Sequence, residues 1–122
     1  LLYLPRNIMP KPLLPKVRCS HILLSHEDAI ESTHSRQLYF AVHDAKMIIG
    51  ELLRGGVTWG TAVKEHSACP HSWYRDGDLG WFDITDGVVP ELYYSVLTAP
   101  KDQLLEEPIQ TPYGIHILVR TG

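Results

Sequence analysis

Arg75-Asp76-Gly77-Asp78-Leu79-Gly80-Trp81-Phe82 lies near the middle of the chain, and its core, Leu79–Trp81, reads as a short strand between two helical stretches. Upstream, Gln37 to Arg54 carries apolar Leu38, Val42, Ala45, Ile49 and Leu52 at 4-3-4-3 spacing, one buried face of an amphipathic helix. Gly55-Gly56 supplies its left-handed stop. Thr58 caps a second, shorter helix with Trp59, Ala62 and Val63. Downstream, Pro90-Glu91 suits a helix first turn, with Leu92, Val96 and Leu97 inward. Val17 to Leu24 opens the fold as a strand, fully apolar at Ile22-Leu23-Leu24. Ser25 to Ser35 is a polar loop in which Ser32 or Ser35 can cap the long helix. Leu104–Ile109 and Ile115–Arg120 read as closing strands joined by the turn Pro112-Tyr113-Gly114. Strands and helices do not alternate as a parallel βαβ array requires. An α+β fold with a mainly antiparallel sheet follows.

A chain of 122 residues suits one domain. Residues 1–16 hold four of the nine prolines and read as a basic, extended arm or linker, leaving 17–122 as the domain. The net charge of −3 gives no general attraction to nucleic acid or an anionic membrane, and no apolar run is long enough to span a bilayer. Two cysteines, Cys19 and Cys69, are too few for a disulfide scaffold, so reduced thiols and a cytoplasmic or nuclear location are expected. The expected state is a monomer. The first residue is not Met, which leaves room for this to be the C-terminal domain of a longer protein.

Three segments occur in order: Cys19-Ser20-His21-Ile22-Leu23-Leu24, then His66-Ser67-Ala68-Cys69 with Arg75–Phe82 six residues on, then Thr111-Pro112-Tyr113-Gly114-Ile115-His116-Ile117-Leu118. Together they closely resemble the parvulin family of peptidyl-prolyl cis/trans isomerases, over roughly Val17 to Gly122. The resemblance implies a four-stranded antiparallel sheet wrapped by helices. It implies isomerisation of X–Pro bonds in proline-containing peptides and proteins, with no cofactor, metal or covalent step. Such a catalyst works against a barrier of about 18–20 kcal/mol. It needs a socket for the pyrrolidine ring and surroundings that favour the twisted, less polarised amide over the planar one.

Parvulins build that socket from a Leu in the Gly-Asp-Leu-Gly motif, a Met before a proline-containing turn and a Phe on the following helix. The matching positions are Leu79, Val88 and Leu92, so Val and Leu replace the usual Met and Phe. Phe82 reads as packing beneath the socket, and Tyr113 as facing its rim. The family's two strand histidines, its Thr and its Cys-or-Asp match His21, His116, Thr111 and Cys69. The histidines read as a hydrogen-bonded pair that fixes the floor of the site. Cys69 with a histidine also has the residue types of a nucleophile–base pair, but no protease signature surrounds it. His21, His66, His71, His116 and Cys69 lack the paired spacing of a zinc site. His26, His34 and His43 have no motif around them and read as solvent-facing.

Cys19-Ser20-His21 and Cys69 are Pin-like, yet the Pin-type basic cluster that binds phosphate is missing. Ser25 to Ser35 holds Glu27, Asp28 and Glu31, with no Lys or Arg before Arg36. Unphosphorylated substrates with a basic or apolar residue before proline follow. The rival reading is a catalytically weak parvulin-like module that binds proline segments or acts as a chaperone domain, which Val88 and Leu92 favour.

Overall fold

The computed structural model describes residues 15–122, and strand β1 (Val17–Leu24) is one of the two inner strands of its sheet. The chain continues through α1 (Leu38–Arg54), α2 (Trp59–His66), β2 (Asp78–Phe82), α3 (Pro90–Leu97), β3 (Ile109–Thr111) and β4 (Gly114–Arg120). The four strands lie in the order β2-β1-β4-β3, all neighbours antiparallel, so the fold is α+β as the sequence implies. The arm assigned to residues 1–16 falls outside the described residues apart from Pro15 and Lys16. The Pro15 carbonyl accepts a hydrogen bond from the Tyr93 hydroxyl at 2.7 Å. Lys16 Nζ lies 3.6 Å from the Asp86 carboxylate.

Side chains alternate across a strand, so β1 sorts its residues onto two faces. Ile22 and Leu24 join Ile115 and Ile117 of β4 beneath α1 and α2. Fully burying each such side chain is worth about 1.5–3 kcal/mol. Val17 and Cys19 join Leu118 on the opposite face, beneath α3. His21 and His116 share the parity of that second face.

Ala41, Ala45, Ile48 and Ile49 form the buried stripe of α1, with Leu38, Val42 and Leu52 packed at its margins. Gly55 ends the helix at φ +75°, and the Thr58 hydroxyl accepts the Thr61 N–H to start α2. Neither Ser32 nor Ser35 caps α1. The N-cap is Gln37, without a side-chain bond, because Ser32 donates instead to the His26 carbonyl at 2.7 Å inside the loop. The first closing strand is shorter than Leu104–Ile109. Leu104 makes one bridge to Val119, and pairing resumes only at Ile109, after Pro108, which has no N–H to give.

In β2 the register shifts between Arg18↔Trp81 and Ser20↔Asp78, so Leu79-Gly80 is a bulge opposite Cys19. Gly80 takes φ +73° there, a conformation in which a Cβ is costly. The Asp78 carboxylate holds the bulge, accepting the Gly80 N–H at 2.9 Å and a two-pronged bond from Arg18 at 3.1 and 2.6 Å. The Arg18 guanidinium keeps the Asp78 carboxyl below the usual carboxylate range.

Candidate active site

His21 and His116 stand on neighbouring strands, β1 and β4. The pairing His21↔Leu118 and Leu23↔His116 sets them diagonally on one face. Their Nδ1 atoms are 2.9 Å apart and their rings stack at 5.1 Å between centroids. His116 Nε2 is 2.6 Å from the Thr111 hydroxyl, which also accepts the Tyr113 N–H at 3.2 Å. The His21 backbone N–H donates to the Gly77 carbonyl at 2.9 Å, which ties β1 to the start of the Gly-Asp-Leu-Gly turn.

Both histidines are buried. Burial alone pushes His21 down to about 4. Burial, with His21 as the second cause, takes His116 to about 3. The pair is therefore neutral near pH 7, and two tautomer patterns satisfy it. In one, Thr111 donates to His116 Nε2, and His116 Nδ1–H donates to His21. In the other the bonds run in reverse, and the Thr111 hydroxyl hydrogen is free for another acceptor. His21 Nε2 has no partner among the described residues. A chain of neutral, redirectable donors in a buried floor suits polar recognition of a carbonyl without proton transfer.

Cys69 lies on the segment after α2, which is tied to β1 at Leu23, two residues beyond His21. The Ala68 N–H donates to the Leu23 carbonyl at 2.8 Å, and the Ser67 hydroxyl accepts the N–H groups of Leu23 and Cys69 at 3.2 and 3.4 Å. Cys69 is buried as a free thiol. No hydrogen bond from its sulfur is found among the described residues, so the nucleophile–base contact of a cysteine hydrolase is missing there.

Leu79, Val88, Leu92 and Phe82 meet in one apolar cluster with Tyr93 and Leu118. Leu92 and Phe82 are buried, and Phe82 packs edge-on against Tyr93, so these two form the floor. Leu79 and Val88 are half-buried and present the accessible apolar surface. Tyr113 is exposed at the β3–β4 turn, beside Thr111. The structure thus gathers Thr111, His21, His116 and the apolar cluster on the α3 face, while the segment carrying Cys69 is bonded to β1 at Leu23.

Two positioning residues escape the sequence reading. Gly77 sits at φ +80°, and a Cβ there would lie 2.3 Å from the His21 carbonyl oxygen. The Asp-Gly pair before a strand is the signal that points to it. Ser67, in the segment His66-Ser67-Ala68-Cys69, ends α2 as its C-cap, and its hydroxyl holds Leu23 and Cys69 together, a role the sequence does not signal. His26 corrects an expectation: it is buried, not solvent-facing, and its Nδ1 accepts the Asp28 N–H at 3.2 Å. His34 and His43 are exposed. Among the described residues no cluster of three His, Cys, Asp or Glu side chains is placed to hold a metal ion, and no helix is long and apolar enough to cross a membrane.

A family model described as Rotamase: PPIC-type PPIASE domain matches residues 21–122. The chain is 28% identical over 107 residues to the chaperone SurA of Idiomarina loihiensis, which covers 88% of this chain and 23% of that protein. It is 40% identical over 56 residues to a probable parvulin-type peptidyl-prolyl cis-trans isomerase of Bordetella pertussis, covering 46% of this chain and 21% of that one. The chain spans about a quarter of the length of these curated relatives. Among solved structures, peptidyl-prolyl isomerase ESS1 from Candida albicans superposes with a TM-score of 0.77 at 27% identity, over 91% of this chain and 67% of the other.

Proposed function

The chain belongs to the PPIC-type, or parvulin, family of peptidyl-prolyl isomerases, and from that membership we propose that it isomerises X–Pro bonds of protein or peptide substrates without a covalent intermediate. The observation that carries this reading is the buried, neutral Thr111–His116–His21 chain adjoining an apolar cluster on one sheet face. The pyrrolidine ring rests on Leu79 and Val88 above Leu92 and Phe82. The X–Pro carbonyl turns over the histidine pair, with Cys69 and Tyr113 at the margin. Water is excluded from the floor, so the polarised planar amide loses hydration that the twisted amide needs less.

The substrates are unphosphorylated, with a basic or apolar residue before proline. The loop beyond β1 offers carboxylates, and its one following cation, Arg36, is bonded to Asp44 at 3.0 Å. A phosphate of about −1.5 to −2 charge would meet like charge there. The test is turnover of matched peptides with Ser or phosphoserine before proline. The unmodified peptide should be the faster, and a phosphopeptide several-fold faster would overturn the preference.

The replacement of the family's Met and Phe by Val88 and Leu92 favours a second reading, a weak isomerase that chiefly binds proline segments, as a chaperone module would. Affinity without acceleration in the same assay would select it. On this reading the domain is a monomer, and the free thiols of Cys19 and Cys69 support a cytoplasmic or nuclear setting.

A further inference from the structure

The chain carries X–Pro bonds of its own just ahead of β1. Pro5, Pro10, Pro12 and Pro15 are preceded by Leu4, Met9, Lys11 and Leu14, all apolar or basic. Residues 1–14 include Arg6 and Lys11 and none of the chain's 14 acidic residues. The described chain begins on the α3 face. The Tyr93 hydroxyl donates to the Pro15 carbonyl at 2.7 Å, and Tyr93 follows Leu92 in the cluster that also holds Leu79 and Val88. Lys16 Nζ lies 3.9 and 3.6 Å from the carboxylates of Asp83 and Asp86, on the turn between β2 and Val88. Val17 is buried in the same cluster, opposite Phe82. The arm therefore leaves the domain at the rim of the apolar cluster. Asp83 and Asp86 share one lysine there, and exposed Glu91 adds a third carboxylate, so the rim stays negative toward a basic segment.

Chain length decides which of these prolines can come back to the site. His21 lies four residues along β1 from Val17, a span of about 13 Å. Pro10, six residues ahead of Lys16, can reach about 20 Å from that anchor, and Pro5, 11 residues ahead, about 36 Å. Both lengths allow a turn back over the histidine pair that sets the ring on Leu79 and Val88. Pro12 spans about 13 Å only at full stretch, which leaves nothing for the turn. Pro15 is held away by its own carbonyl bond.

We propose that the domain isomerises its own Leu4–Pro5 and Met9–Pro10 bonds within one molecule, and that the arm thereby competes with outside peptides for the site. The proposal rests on the isomerase reading. A tether of this length supplies an effective concentration in the millimolar range without any new contact. A site of about millimolar affinity is then about half filled, and the apparent Kd for an outside peptide is raised about two-fold.

The test uses the intact chain with isotope-labelled proline. NMR exchange spectroscopy reads the cis and trans signals of Pro5, Pro10 and Pro15 over a range of dilutions. Pro5 and Pro10 should exchange far faster than the uncatalysed tens to hundreds of seconds, at a rate that dilution leaves unchanged, and Pro15 should not. A saturating outside peptide should slow both, as should Leu79→Ala. Pro5→Ala combined with Pro10→Ala should tighten the Kd of an outside Leu–Pro peptide about two-fold, and Pro12→Ala should leave it as it was. Uncatalysed exchange at Pro5 and Pro10 overturns the proposal. So does exchange that slows in proportion to dilution, which assigns the work to a second copy, and so does a Kd indifferent to the double variant. A synthetic peptide of residues 1–14, added to the protein, separates the two readings. If that peptide is turned over and the tethered arm is not, the isomerase reading stands and this proposal falls. If neither is turned over, both fall.

Discussion

Acidification from pH 7 to pH 5 should remove a large part of the stability of this domain through His21 and His116. Burial holds their folded values at about 4 and about 3, against about 6.5 in an unfolded chain. The folded state therefore binds fewer protons, and the stabilising contribution is complete above about pH 6.5 and declines as pH falls toward the folded values. At pH 5 the unfolded histidines are charged while the buried pair is still mostly neutral. The gap of 1.5 pH units at 1.36 kcal/mol per unit gives about 2 kcal/mol for each histidine, or about 4 kcal/mol for both. Domains of this kind hold only about 5–15 kcal/mol in all. Asp78, whose value is lowered, acts only below the carboxylate range and stays out of this window. Urea unfolding followed by tryptophan fluorescence at pH 7, 6 and 5 measures the loss. A double variant, His21→Asn with His116→Asn, should show a much flatter dependence. A change below about 1 kcal/mol in the unaltered protein, or the same slope in the double variant, would refute the buried neutral pair.

Gly77→Ala should be far more damaging than Gly55→Ala. Both glycines hold φ between +75° and +80°, but only at Gly77 would the new Cβ strike backbone, 2.3 Å from the His21 carbonyl oxygen. Gly55→Ala should cost about 1–2 kcal/mol for conformation. Gly77→Ala should cost at least 1 kcal/mol more, with loss of the His21 N–H bond; equal melting temperatures for the two variants would contradict this. Cys69→Asp should keep substantial isomerase activity and Cys69→Ala should reduce it in part, because no covalent step is involved. A trapped acyl-enzyme, or complete loss in both folded variants, would point to nucleophilic catalysis instead.

Much of this arrangement is legible in the sequence because local spacing determines it. The apolar repeat from Leu38 to Leu52 marks α1, Thr58 marks the start of α2, and the apolar run Ile22-Leu23-Leu24 marks β1, while the histidine pair is found through the family motifs. Where tertiary partners decide, the sequence is silent. Ser32 has the chemistry of a helix cap, but the buried His26 carbonyl claims its hydroxyl, so Gln37 begins the helix. His26 itself has no motif around it in sequence, and its burial comes with a loop whose Ser32 and Asp28 bond back to it. Tyr93 reads as an ordinary helix residue, yet it is fully buried and its hydroxyl reaches back to Pro15. Leu104 looks continuous with Ile109, but a bend at Glu106-Glu107 and then Pro108 interrupt the ladder between them.

The central claim is that this domain turns X–Pro bonds with its own side chains alone. Exchange spectroscopy on a short unphosphorylated Lys–Pro peptide, with a chelator present and the protein substoichiometric, tests it most directly. Cis and trans proline signals should exchange within the mixing time when the protein is added, far faster than the uncatalysed tens to hundreds of seconds, and Leu79→Ala should slow that exchange. Unchanged exchange at near-stoichiometric protein, or exchange that disappears with the chelator, would contradict the account.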